Sequence, residues 1–322
     1  MRIVQRPRRL RSSESIREIS RETHLHPSDL CLPFFVTEGK GIRKSSKQLP
    51  SAVTISVDQI KDLLKDTKAL GVSMVCLFGV VDKKDARGSG ALDPQGPVIN
   101  AIREIRSAFP HLIVSTDIAL DPYTDHGHDG LFKGSDVLND ETIEVLCQMA
   151  QLHARAGAQN VSPSDMMDGR IGAIREALDS SGHESVSIMS YTAKYASCLY
   201  GPFRDILNVN LIGDKKTYQM DPANRREAVR ELELDLKEGA DIVMVKPASW
   251  YLDVISDFKA RCQIPVAAYQ VSGECALLEV GAQAGLFDRS RAIMESLISI
   301  KRAGADLILT YHALEAAKLC QK

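Results

Sequence analysis

The chain has 322 residues, room for two average domains or one large barrel, and its 44% hydrophobic and 25% charged content argues against disorder. A formal net charge of −2 gives no case for nucleic acid or an acidic lipid surface as partner. No apolar run reaches the ~18 residues of a membrane span, no apolar signal core opens the chain, and the seven cysteines are never spaced CxxC, which suits a reduced cytoplasm better than a disulfide frame or a structural zinc site.

In chain order, the first distinctive segment is "RPRRLRSSESIREISRE", residues 6–22, basic and then mixed. Glu14, Glu18 and Glu22 argue against an organelle transit peptide, so residues 1–30 are expected to form an arm that packs on another subunit. Residues 31–322 then repeat one unit: an amphipathic stretch, a glycine stop and a short β-branched run. "KALGVSMVCLFGV", "ARAGAQNVSPS", "KEGADIVMVKP" and "RAGADLILTYH" show it most clearly, with Gly71, Gly157, Gly239 and Gly304 where helices should end in the left-handed conformation. Each run is apolar on both faces, as a buried parallel strand requires. About eight such runs appear: 31–36, 72–80, 112–119, 159–162, 186–191, 242–245, 265–271 and 307–310. Between them, Ile143, Leu146, Met149 and Leu152 share one helical face after the cap candidates Asn139 and Asp140. Val229, Leu232 and Leu236 share another, and Pro97 suits a first helical turn. The alternation predicts a (β/α)8 TIM barrel; an open doubly wound sheet is weakened by the lack of GxGxxG after the first strand.

Active sites of such barrels lie at the C-terminal ends of the strands. There the runs end in "STDIALD", "SPSDMMDGR", "MSYTAKYAS", "MVKPASW", "YQVSGE" and "TYHA". Lys194 and Lys246 stand out, each ending a buried-looking strand. A solvated surface lysine is the ordinary case. Two ammonium groups in one desolvated pocket would instead depress each other's pKa, and a neutral lysine attacks a ketone to form a Schiff base. "ALDPYTDHGHDG", residues 119–130, adds three aspartates and two histidines that suit metal ligands, acid–base groups or a polar loop alike.

"YTAKYASCLYGPFRD", "MVKPASWYLD", "VSPSDMMDGRIGAIR" and "YQVSGE" together resemble the porphobilinogen synthase (5-aminolevulinate dehydratase) family, and the likeness runs from "RPRRLR" to "GADLILTYHA". The resemblance implies an enzyme of tetrapyrrole biosynthesis that condenses two molecules of 5-aminolevulinate through Schiff bases on Lys194 and Lys246. It implies that Arg204, Lys215 and Gln219 hold one substrate carboxylate, Ser272 and Tyr311 the other, and that Asp117 and Ser164 line the pocket as polar or proton-handling groups. Lys215 departs from the arginine of many members and keeps the charge without the bidentate fork. Zinc-using members carry cysteines at the positions of Ala119, Asp121 and Asp129. Alanine offers no donor and aspartates are hard ligands, so no zinc is expected, and residues 119–130 are expected to form a lid with Asp121 and Asp129 as polar lining and at most weak metal ligands. His126 and His128 lack a third strong ligand.

Glu227, Glu231 and Asp235 recur at i, i+4 and i+8 on one helix, where Arg226 and Arg230 would neutralise them in the plain case. The resemblance implies an allosteric magnesium held through water at Glu231, beside a neighbouring subunit's arm, in a homo-oligomer expected to be an octamer. Rival readings are a one-lysine aldolase, a hydrolase using the Asp/His stretch, and an oligomeric scaffold whose arm holds RNA.

Overall fold

The glycine stops set the frame. Gly71, Gly157, Gly239 and Gly304 all follow helices with positive φ, between 77° and 124°, and each leads into a strand. The computed structural model describes residues 3–45, 49–208 and 211–321. Eight parallel strands form the barrel: β1 Leu30–Thr37, β2 Met74–Val80, β3 Ile113–Ile118, β4 Asn160–Pro163, β5 Ser187–Lys194, β6 Ile242–Lys246, β7 Val266–Gln270 and β8 Leu307–Thr310. Each pairs with the next, and β8 closes on β1 through Leu30↔Ile308 and Cys31↔Leu309. The fold is the expected (β/α)8 barrel.

Two apolar cores follow from strand alternation. Phe35, Cys76, Phe78, Met189, Tyr191, Met244, Tyr269 and Leu309 belong to the core inside the barrel. Phe34, Val75, Val114, Ile188, Val243 and Ile308 belong to the one between strands and helices. Outside the barrel, the short strands Arg43–Ser45 and Val53–Ser56 extend the sheet beside β1, and Phe132–Lys133 pairs with Asp136–Val137. At the N-terminus, Pro7–Arg11 forms a 3-10 turn and Glu14–Ile19 a short helix, neither with a buried residue. Leu30, counted with the arm, is fully buried and opens β1.

Three local expectations are corrected. The helix Asn139–Ala156 has Leu138 as its N-cap, with no side-chain cap; the Asn139 amide instead pairs with the backbone of Asp168, at 2.8 and 3.1 Å. Its buried face runs through Thr142, Leu146, Met149 and His153, leaving Ile143 and Leu152 half-buried. In the helix Arg226–Glu238 the buried residues are Ala228, Leu232 and Asp235, so a carboxylate displaces Val229 and Leu236 from the centre of that face.

Candidate active site

β5 and β6 run side by side, but their register changes midway. Val243 faces Ser190, whereas Val245 faces Ala193 and Lys246 faces Lys194. β5 therefore carries one extra residue, a bulge, between Ser190 and Ala193. In a regular strand Met189, Tyr191 and Ala193 would share the inner face, and Lys194 would point out among the helices. The bulge exchanges the faces: Ala193 joins the outer core, and Lys194 turns inward beside Lys246.

The two lysines share one narrow cleft with Asp117, Asp121, Ser164, Arg204, Lys215 and Gln219. Its free volume is about 20 Å³, room for about one water. Lys246 Nζ lies 4.7 to 5.3 Å from the ring centres of Tyr269, Tyr191 and Tyr200, and 5.4 Å from that of Phe203. Those rings attract a cation. Burial and the neighbouring Lys194 outweigh them and bring the Lys246 pKa down to about 7. The Lys194 ammonium donates to the carbonyl of Ser164 and lies 3.6 Å from Asp129.

Lys215 is in a different state. It donates to Asp121 at 3.1 Å and to Asp129 at 3.2 Å. Burial opposes its charge, but the two carboxylates raise its pKa above the ordinary value. Asp129 is held at about 2, because Lys194 and Lys215 overrule the effect of its burial. Asp117 goes the other way: burial and then Asp121 push it up to about 7, and one of its oxygens has no hydrogen-bond partner. The site thus holds one lysine poised near neutrality, one fixed as a cation, and one carboxyl able to exchange a proton near pH 7.

Ser272 and Tyr311 lie beside this cleft rather than along it. The Ser272 hydroxyl accepts from the Phe203 backbone N–H at 3.0 Å. Tyr311 accepts from the Tyr269 hydroxyl at 3.0 Å and stacks on Phe35. Phe203 packs on both Phe35 and Phe78, and Tyr269 links the Tyr311 hydroxyl to the surroundings of Lys246.

Residues 119–130 are a wall, not the expected lid. All except Asp125 are buried, and residues 212–218 lie over them. His128 binds the Ile212 carbonyl at 2.8 Å and the Tyr218 hydroxyl at 3.1 Å, and its ring stacks on Phe132. The Asp129 N–H donates to the same hydroxyl. With Lys215 between Asp121 and Asp129, an ammonium occupies the side chains that a metal would need. No cluster of three or more His, Cys, Asp or Glu with metal-binding geometry occurs among the described residues.

Glu231 stands apart, on the wall of a cavity of about 580 Å³ that also takes in Asp136, Asp168, Asp221 and Glu227. Burial pushes its carboxyl up to about 7. Its facing cation is Arg170 rather than Arg226 or Arg230. Gln219 borders both this cavity and the lysine cleft.

The aromatic box and Arg170 escaped sequence reasoning. Tyr269 was reachable, since it falls two residues before Val271 on the inner face of β7 next to β6. Arg170 was not, because its partners, the Met167 and Tyr191 carbonyls, the Ser190 hydroxyl and Asp165, are brought together only by the fold.

Comparison with known proteins agrees with this geometry. The family profile described as delta-aminolevulinic acid dehydratase matches residues 4–319. Delta-aminolevulinic acid dehydratase of Chlamydia pneumoniae is 50% identical over 314 residues, covering 97% of this chain and 95% of that protein. The Bacillus subtilis (strain 168) protein of the same name is 48% identical, with 97% of each covered. The crystal structure of the Toxoplasma gondii ME49 enzyme, also called porphobilinogen synthase, in complex with the reaction product porphobilinogen, superposes with a TM-score of 0.96 at 42% identity, covering 98% of this chain and 92% of that one. On sequence over nearly its full length and on fold alike, the chain belongs to the delta-aminolevulinic acid dehydratase family.

Proposed function

We infer that this protein condenses two molecules of 5-aminolevulinate to porphobilinogen, a step of tetrapyrrole biosynthesis. The observation that carries the reading is the pairing of Lys194 with Lys246 at the ends of neighbouring strands, with the Lys246 pKa brought down to about 7. A neutral Lys246 attacks the ketone of one substrate, and loss of water leaves a ketimine. Lys194 does the same with the second. The electron-poor ketimine carbon acidifies the adjacent C–H, which gives the carbon nucleophile for C–C bond formation. As the ring closes both lysines leave as amines, so two waters are released in all. Asp117, with its free oxygen and raised pKa, is the group suited to carry the proton, with Ser164 beside it.

For the substrate carboxylates, Arg204, Lys215 and Gln219 serve one and Ser272 and Tyr311 the other. Lys215 must share its charge with Asp121 and Asp129, so it holds a carboxylate more weakly than a free arginine fork would. The small free volume leaves no room for substrate, so the segments that bring Tyr200, Phe203, Arg204, Lys215 and Gln219 to the cleft are read as a cover that opens to admit it. The enzyme is read as cytoplasmic; no helix among the described residues is long and apolar enough to cross a membrane.

Residues 1–30 are read as an arm that joins subunits of a homo-oligomer, an octamer. Ile3, Val4, Leu10 and Ile19 are large apolar side chains left exposed along it in a single chain. The acidic cavity fits a hydrated magnesium ion, since its carboxylates are hard oxygen donors gathered around the half-buried Glu231. Glu231 would hold that ion through water, away from both lysines, and the ion would supply charge neutralisation at a subunit contact. No zinc role is assigned, because Ala119 has no donor.

Borohydride reduction in the presence of 5-aminolevulinate, followed by peptide mass analysis, tests the reading. Adducts on the peptides of Lys246 and Lys194 are expected. Turnover without an adduct at either lysine would overturn it.

A further inference from the structure

We propose that Arg170 is a positioning residue for Lys194, acting through the bulge of β5; this rests on the Schiff-base reading of Lys194. Arg170 opens the helix Arg170–Ser180, yet its side chain is only 3% exposed and runs under the sheet. A bulge breaks the ladder and leaves backbone groups needing partners. The guanidinium supplies one for the Tyr191 carbonyl. One terminal nitrogen donates to the Tyr191 carbonyl at 3.2 Å and to the Ser190 hydroxyl at 3.3 Å, the first residue of the bulge and the last one in register before it. The other donates to the Met167 carbonyl at 3.1 Å. The Ser190 hydroxyl in turn donates to the buried Asp235 at 2.5 Å.

The same side chain also reaches the second support of Lys194. Its Nε lies 3.6 Å from Asp165, whose own side chain is fully buried. Asp165 adjoins Ser164, and the Ser164 carbonyl accepts from the Lys194 ammonium. Asp165 also accepts from the Met167 N–H at 2.8 Å, which tightens that loop. Arg170 therefore grips both the strand that aims Lys194 and the loop that receives its ammonium.

A buried ion pair that only filled space would face any part of β5. This one meets the strand at Ser190 and Tyr191, immediately before alternation reverses. If the bulge relaxed, Ala193 would face Lys246 and Lys194 would turn toward the helices. Only a planar fork spans Met167, Ser190 and Tyr191 together, so lysine should be a poor replacement.

The test uses the full-length protein and two variants, Arg170→Met and Arg170→Lys; the second keeps the charge near Asp165 and Asp235 in case the first does not fold. Acetic anhydride labelling without substrate, read per lysine by mass, asks where Lys194 points. In either folded variant the labelling rate of Lys194 should change at least tenfold, with Lys246, labelled at alkaline pH where loss of the neighbouring charge no longer alters its neutral fraction, unchanged as the internal control. Borohydride trapping with 5-aminolevulinate should then lose the Lys194 adduct and keep the Lys246 adduct. Unchanged Lys194 labelling in Arg170→Lys, or equal changes at both lysines, would overturn the proposal. Should the wild-type protein turn over with no adduct at Lys194, the Schiff-base reading fails, while the labelling still decides whether Arg170 aims that side chain.

Discussion

Replacing Lys194 by methionine should raise the pKa of Lys246 and slow its capture of substrate at neutral pH. Methionine keeps an apolar stem of similar length and removes the charge. With a pKa of about 7, Lys246 is about half neutral at pH 7, whereas at the ordinary 10.5 roughly one lysine in three thousand would be. Burial is the larger cause of that depression and survives the substitution; repulsion by Lys194 is the next and does not. The change also leaves Asp129, 3.6 Å from the lost ammonium, freer to stabilise charge on Lys246. Loss of a close like charge moves a pKa by about one pH unit. A rise to about 8 would cut the neutral fraction at pH 7 from about a half to about a tenth, a roughly fivefold slowing. At alkaline pH, above both values, the two proteins should react alike. The assay is the rate of borohydride-trapped adduct on the Lys246 peptide, followed from mildly acidic to alkaline pH. A midpoint that stays in place or falls would refute the electrostatic reasoning.

Lys246→Met should abolish turnover and raise stability, as calorimetry would show. A folded-state pKa of about 7 against 10.5 unfolded means that protonated Lys246 opposes folding fully below pH 7, less between the two values and not at all above them, a cost of at most about 5 kcal/mol. The gain in melting temperature should therefore be largest on the acid side of pH 7; a gain independent of pH would contradict it. Glu231→Ala should remove magnesium stimulation and shift the oligomer distribution seen by sedimentation, with borohydride trapping at Lys246 retained; stimulation that persists would place the ion elsewhere. Metal analysis should find no stoichiometric zinc, and zinc chelation should leave activity intact; zinc whose removal ends activity would count against the hard-ligand argument at Asp121 and Asp129.

The barrel was legible because its signals are local. A glycine stop needs only its own φ, and a two-faced apolar run needs only its own residues, so every predicted strand was found at or near its place. Strand five was read as ending at Tyr191 and continues to Lys194, because a bulge has no compositional mark. The helical faces at Ile143 and Val229 were off by part of a turn because polar residues hold buried places: His153 bonds Thr116, and Asp235 bonds Ser190. A periodicity count places neither inside. Lys194 and Lys246 were found by standing at strand ends. The lid reading of residues 119–130 failed because what covers them, residues 212–218, lies some ninety positions away in sequence.

The rings around Lys246 make the protein its own indicator. Tyr191, Tyr200 and Tyr269 sit close enough to its ammonium for their near-ultraviolet transitions to respond to that charge. Trp250, the chain's one tryptophan, is 60% exposed and outside the box, so it contributes a steady background. Titration of Lys246, or its conversion to an imine, should therefore register as a tyrosine difference spectrum in the unlabelled protein, and the chemical state of one buried amine becomes visible in absorbance and circular dichroism.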